Sequence, residues 1–93
     1  MHALLIAINS KYVHTALGLR YVGEYAKAQG FDVHLIEETI NTPILTVLEK
    51  IMDCKAEVYA FSVHIWNKPF VFRLISMLKK LRPEATIVVG GPE

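Results

Sequence analysis

Ala3-Leu4-Leu5-Ile6-Ala7-Ile8 carries no polar side chain over six consecutive positions, and Asn9 ends the run. A strand with one solvated face alternates apolar and polar residues, whereas a strand covered on both faces has no reason to. Six residues is strand length and falls far short of the ~20 that a membrane-spanning helix needs. The run is also short for the core of a secretion signal, and no basic residue precedes it. It predicts a central strand of a parallel sheet with helices on both sides.

The rest of the chain supports that reading. Residues 9–14 form a polar and aromatic loop. From about Thr15 the spacing turns helical, with Leu17, Tyr21, Val22, Tyr25 and Ala26 on one face. Gly30 suits the left-handed position after the helix, and Phe31 is placed to pack back on it. Residues 32–37 predict a second strand, with Asp32 and His34 marking an edge. Thr42 can cap a second helix, and Pro43 fits its first turn. Ile44, Val47, Leu48, Ile51 and Met52 make its apolar stripe. Val58-Tyr59-Ala60-Phe61-Ser62-Val63 predicts a third strand. Asn67 and Pro69 start a third helix with Val71, Leu74, Ile75, Leu78 and Leu81 inward. Lys79, Lys80 and Arg82 complement its dipole, and Pro83 stops it. Residues 86–89 are the fourth strand.

Strands alternating with helices across short loops imply an α/β fold: a Rossmann-like, three-layer parallel sheet joined by right-handed crossovers. The flavodoxin order, 2-1-3-4, fits best. The chain then ends on Gly90-Gly91-Pro92-Glu93, which reads as truncation after strand 4. The expectation is one domain spanning 1–93, cut from a longer protein whose fifth strand is missing here.

Composition limits the function classes. Hydrophobic residues make up 53% and charged residues 20%, which excludes intrinsic disorder. Ten basic residues against nine acidic ones leave a net charge of +1, too little for a nucleic-acid footprint. A single cysteine, Cys54, excludes an internal disulfide, a cysteine zinc site and an iron–sulfur cluster held by these residues alone. Cys54 reads as packing in the second helix. The compartment reads as reducing and cytoplasmic, with no membrane partner.

Ligands of open parallel sheets sit beyond the carboxyl ends of the strands, at the switch point between strands 1 and 3. The loops reaching that edge hold His14, His64, the only tryptophan (Trp66) and the only Gly-Gly pair, Gly90-Gly91. The opposite edge has ordinary turns. Gly90-Gly91 serves equally as a plain turn or as a place where a ligand meets backbone. Ser62 either satisfies a strand end or turns its hydroxyl to the switch point. Trp66 is either loop packing or a stacking platform. The histidines have no partner at i+3 or i+4, so metal ligation is not indicated. No G-x-G-x-x-G or G-x-x-x-x-G-K-[ST] follows strand 1, which disfavours a dinucleotide, nucleotide-sugar or P-loop site.

Three segments together resemble a known family. Leu5-Ile6-Ala7-Ile8-Asn9-Ser10-Lys11-Tyr12-Val13-His14 runs into Ala16-Leu17-Gly18-Leu19-Arg20-Tyr21, and is joined by Ala60-Phe61-Ser62-Val63-His64-Ile65-Trp66-Asn67 and Val88-Val89-Gly90-Gly91-Pro92-Glu93. The combination resembles the N-terminal cobalamin-binding domain of cobalamin-dependent radical SAM proteins. That group is often labelled anaerobic magnesium-protoporphyrin IX monomethyl ester oxidative cyclases. The resemblance spans essentially the whole chain.

It implies a Rossmann-like domain that positions the corrin of cobalamin for a radical SAM barrel of the same chain. The barrel would carry S-adenosylmethionine and the iron–sulfur cluster. Ser62 matches the serine of the family's S-x-L, with His64 in place of the leucine, and Gly90 and Gly91 match its glycine pair. The D-x-H-x-x-G motif is absent: Asn9 stands at its aspartate and Lys11 at its histidine. Cobalt would then have no protein histidine beneath it. On this resemblance Asn9, Tyr12 and His14 line the first loop, Ser62 bonds the nucleotide tail, Gly90 and Gly91 let it approach, and His64 and Trp66 bound the corrin side. No catalytic residue is expected here. A ligand-free docking domain of the same fold is the alternative. Self-association through the strand-4 edge is also expected, because Ile87, Val88 and Val89 form an unprotected apolar edge.

Overall fold

The alternation of strand and helix resolves into β1 (His2–Asn9), α1 (Leu17–Ala28), β2 (Asp32–Thr39), α2 (Ile44–Asp53), β3 (Val58–Ser62), α3 (Lys68–Leu81) and β4 (Thr86–Gly90). The computed structural model describes residues 2–9 and 17–90, without the side chains of 17–22. The inward placement expected of Leu17, Tyr21 and Val22 lies outside the described residues. The sheet order is β2-β1-β3-β4 and every neighbouring pair is parallel, as the sequence implied. The strands differ from expectation only at their ends. β1 gains a residue at each end, β2 runs on to Thr39, and β4 includes Gly90. β3 stops at Ser62, although the Val63 N–H still donates to the Gly90 carbonyl at 2.7 Å.

The pleat explains the layers. Leu4, Ile6 and Ile8 of β1 and Tyr59 and Phe61 of β3 face one way. They bury against Val47, Leu48 and Ile51 of α2 and Val71, Leu74 and Leu78 of α3. Leu5 and Ala7 face the other way and are also buried. There α1 lies close: a Cβ on Gly23 would stand 2.8 Å from Leu5 Cδ1 and 3.6 Å from Val33 Cγ1. α1 therefore covers β1 and β2 on one side, while α2 and α3 cover the other. On the α1 side, Val88 of β4 remains 49% exposed.

Helix ends follow local chemistry. Gly30 closes α1 with φ 94°, its N–H bonding the Lys27 carbonyl at 3.0 Å while the Phe31 N–H bonds that of Ala26 at 3.1 Å. Thr42 does not cap α2. Its hydroxyl donates to Glu38 Oε1 at 3.2 Å, because a carboxylate is the stronger acceptor. Lys50 also pairs with Glu38.

Two positions expected to face inward do not. Tyr25 is 70% exposed, because the face of α1 set on Gly23 puts Tyr25 about 200° around the helix. Leu81 is 56% exposed at the last position of α3, beyond the buried Leu78. Arg82 follows α3 instead of sitting in its last turn, and it serves another helix. Its guanidinium donates to the Met52 carbonyl at 2.7 Å, the Cys54 carbonyl at 3.1 Å and the buried Tyr59 hydroxyl, closing the end of α2. Cys54 sits after α2, half-buried, and not within the helix.

Gly23 gives a test of this packing. Gly23→Val should lower the stability by about 1–3 kcal/mol by pushing Leu5 off its site. Gly23→Ala should stay within about 1 kcal/mol of the parent, because the gain in helix propensity offsets the displaced methyl. Urea unfolding midpoints at constant m-value measure both.

Candidate functional site

Register decides which side chains meet at the carboxyl edge. Glu37, Ala7, Ser62 and Gly90 stand side by side across β2, β1, β3 and β4. Partnered residues share a face, so this row lies on the α1 side of the sheet. The row before it is Leu35, Leu5, Ala60 and Val88. Over β3 and β4 these two rows present Ala60, Ser62 and Gly90, with Val88 as the one larger side chain. Among the described residues a Cβ placed on Gly90 would meet nothing within 4 Å, and Gly90 does not need a left-handed backbone. Among the described residues nothing therefore stands against Gly90, the register partner of Ser62 beside the switch point.

Asn67 ties that edge together. It is completely buried. Its Nδ2 donates to the Ile8 carbonyl at 2.9 Å and to the Ser62 carbonyl at 3.3 Å, spanning β1 and β3 where their connections diverge. Its Oδ1 accepts the His64 N–H at 2.7 Å. The side chain thus uses both donors and its acceptor, as a buried amide must.

The loop that Asn67 anchors holds three of the expected residues together. His64 Nε2 lies 3.3 Å from Ser62 Oγ. The His64 and Trp66 rings stack with centroids 5.1 Å apart and planes within 5°. Trp66 is 43% exposed, and Ile65 beside it is 72% exposed. Asn9 ends β1 near Glu37, with Nδ2 3.5 Å from Oε2, and its carbonyl accepts the Ile40 N–H at 2.9 Å. Asn9, Ser62, His64, Trp66 and Gly90 therefore all lie on the carboxyl edge. Tyr12, His14 and Gly91 lie outside the described residues. Among the described residues no cluster of three or more His, Cys, Asp or Glu side chains is placed to hold a metal ion. No helix among them is long and apolar enough to cross a membrane.

The sequence matches the B12 binding domain over residues 3–93. The chain belongs to that family. Among solved structures it is similar to a cobalamin-binding protein from Desulfitobacterium hafniense DCB-2. The TM-score is 0.75 and the sequence identity 20%, over 99% of this chain and 45% of that one. The likeness extends to the fold, and this chain spans less than half the length of that protein. No curated protein sequence matches.

Among the described residues the carboxyl edge brings together one hydroxyl, one imidazole, a part-exposed indole and a glycine, groups that a B12-binding domain can turn to a ligand. Asn67 is the member that residue reading did not find. Its position before Pro69 suggested only a helix start, yet its side chain makes no cap bond. Four residues separate Asn67 from the end of β3, and that short loop was the available signal: a polar side chain so close must sit over the strand ends.

Asn67→Leu should cost about 2–4 kcal/mol, since two strand-end carbonyls and the His64 N–H lose their partner. Asn67→Asp should lose stability progressively as pH rises above about 4. A carboxylate facing two carbonyl oxygens favours the protonated form in the folded state, so the native protein binds more protons than the unfolded chain. Urea titrations between pH 3 and 8 measure the slope, which should be absent at this site in the parent.

Proposed function

We propose that this B12-binding domain holds cobalamin over its carboxyl edge and positions the corrin for a radical SAM domain of the same polypeptide. The observation that carries the reading is the Ser62–Gly90 register pair at the switch point of the sheet, with no described residue within 4 Å of a Cβ on Gly90. A ligand tail laid there meets backbone at Gly90 and a hydroxyl at Ser62. Asn9 is assigned to the β1 side of the ligand, and His64 and Trp66 to the corrin side; Tyr12, His14 and Gly91, outside the described residues, are proposed as further contacts. Bound cobalamin supplies cobalt redox and alkyl-transfer chemistry, for use by the neighbouring domain.

Membership of the B12-binding family and the cobalamin-binding protein of like fold support the ligand. The motifs shared with cobalamin-dependent radical SAM proteins of the oxidative cyclase type support the parent enzyme, with S-adenosylmethionine and an iron–sulfur cluster in its barrel. A cytoplasmic setting agrees with that chemistry. β4 is the proposed place for pairing with further chain or for self-association. It carries no charged residue, unlike the opposite edge strand with Asp32, Glu37 and Glu38.

Spectral titration of hydroxocobalamin into the full natural polypeptide tests the reading. Gly90→Val should leave the unfolding midpoint unchanged, because its side chain enters open space, yet weaken binding by tenfold or more by filling the tail site. Ser62→Leu should weaken it similarly. Absence of binding by the parent protein would replace the reading with that of a ligand-free docking domain.

A further inference from the structure

The outer surface of α2 and α3 carries charges of opposite sign that the fold itself does not use. We propose that a second copy of this chain docks there, α2 of each copy lying on α3 of the other about a twofold axis. That face lies away from the carboxyl edge, so the proposal stands apart from the cobalamin reading.

The two helices pack side by side on one face of the sheet. Both leave the carboxyl edge, so they run parallel to each other. α2 buries Val47, Leu48 and Ile51, which turns Glu49 and Asp53 outward, about one helical turn apart. α3 buries Val71, Leu74 and Leu78, which turns Arg73 and Lys80 outward, about two turns apart. All four are exposed. Other charges on these helices are already engaged: Lys79 donates to the Pro83 and Ala85 carbonyls at 2.9 and 2.8 Å, and Lys50 pairs with Glu38. Among the described residues the side chains of Glu49, Asp53, Arg73 and Lys80 have no ion-pair or hydrogen-bond partner. Glu49 and Asp53 even repel each other at their i, i+4 spacing. The chain as a whole shows the same segregation. Residues 23–57 hold seven acidic and three basic side chains, a net charge of −4, and residues 58–90 hold one acidic and five basic, a net charge of +4.

A twofold axis along the groove between the helices sets the acidic stripe of each copy on the basic stripe of the other. Every contact then occurs twice, and the contact closes after two copies. Glu49 and Arg73 each stand five positions into their helix, so they meet at one level. Asp53 and Lys80 follow further along. Leu45, 65% exposed, and Phe72, 48% exposed, add apolar surface to the same face. Helices of 10 and 14 residues are only about 15 and 21 Å long, a footprint at the small end of specific interfaces. Charge therefore decides whether this dimer forms, and salt weakens it.

Sedimentation velocity of the full natural polypeptide tests the proposal. The parent should form a dimer whose dissociation constant rises about tenfold or more between roughly 50 and 500 mM salt. Glu49→Arg and Arg73→Glu should each weaken self-association by about tenfold or more, with the urea unfolding midpoint and the hydroxocobalamin titration unchanged. An equimolar mixture of the two variants should dimerise like the parent, because each copy then supplies the sign that the other lacks. An ion pair within one chain cannot give that result, since each variant carries like charges at both positions. A parent that stays monomeric at every concentration and salt overturns the proposal. So does a mixture that stays monomeric, or a dimer indifferent to both reversals, which would put the contact at β4. None of these results touches the cobalamin reading, which fails only if the parent does not bind hydroxocobalamin.

Discussion

The Asn67 amide is the constraint on which the carboxyl edge depends. In a parallel sheet of order 2-1-3-4, the connections leaving β1 and β3 go to opposite sides, so a crevice opens between the two strand ends. Carbonyls there have no next strand residue to bond. Asn67 satisfies the Ile8 and Ser62 carbonyls from one side chain and accepts from the His64 N–H in the same plane of bonds. Neither water nor a shorter side chain would fix the separation of the strands and the course of the loop at once. Because the group is buried, each bond is worth more than its exposed equivalent and each loss is costly.

Consequences run outward from that amide. The β3–α3 loop is held close, which places His64 beside Ser62 and stacks it on Trp66. Such groups are ordered before any ligand arrives, and preordering lowers the cost of binding. The opposite edge has its own device, in which the Arg82 guanidinium is bonded to the Met52 and Cys54 carbonyls and the Tyr59 hydroxyl, closing the end of α2. At the carboxyl edge the Ser62 hydroxyl, the part-exposed Trp66 ring and Gly90 come together instead.

Layer order, strand direction and the position of the switch point were legible in the sequence, because apolar runs of strand length and stripes of helical period depend on burial alone. The carboxyl-edge residues Asn9, Ser62, His64, Trp66 and Gly90 were legible for the same reason: topology sends every βα loop to that edge. Side-chain direction was not. Tyr25 shares a helical spacing with apolar neighbours, but the close approach of Gly23 to Leu5 sets the phase of α1, and no periodicity encodes that contact. Thr42 has the chemistry of a cap and was captured by Glu38, a residue of β2. Asn67 looked like a helix start because its partners, Ile8 and Ser62, are joined to it only by the tertiary fold.

The central claim is that cobalamin meets this domain at the β1–β3 carboxyl edge that Asn67 holds in place. Amide chemical-shift mapping by NMR, on titration with hydroxocobalamin, tests it most directly. The account predicts that the largest shifts fall on Ser62, Val63, His64, Trp66, Asn67, Asn9 and Gly90. Amides of Gly30, Lys55, Ala56, Arg82 and Ala85, on the far edge, should stay still. Shifts concentrated on those far-edge amides, with the Ser62 to Asn67 segment unmoved, would contradict it.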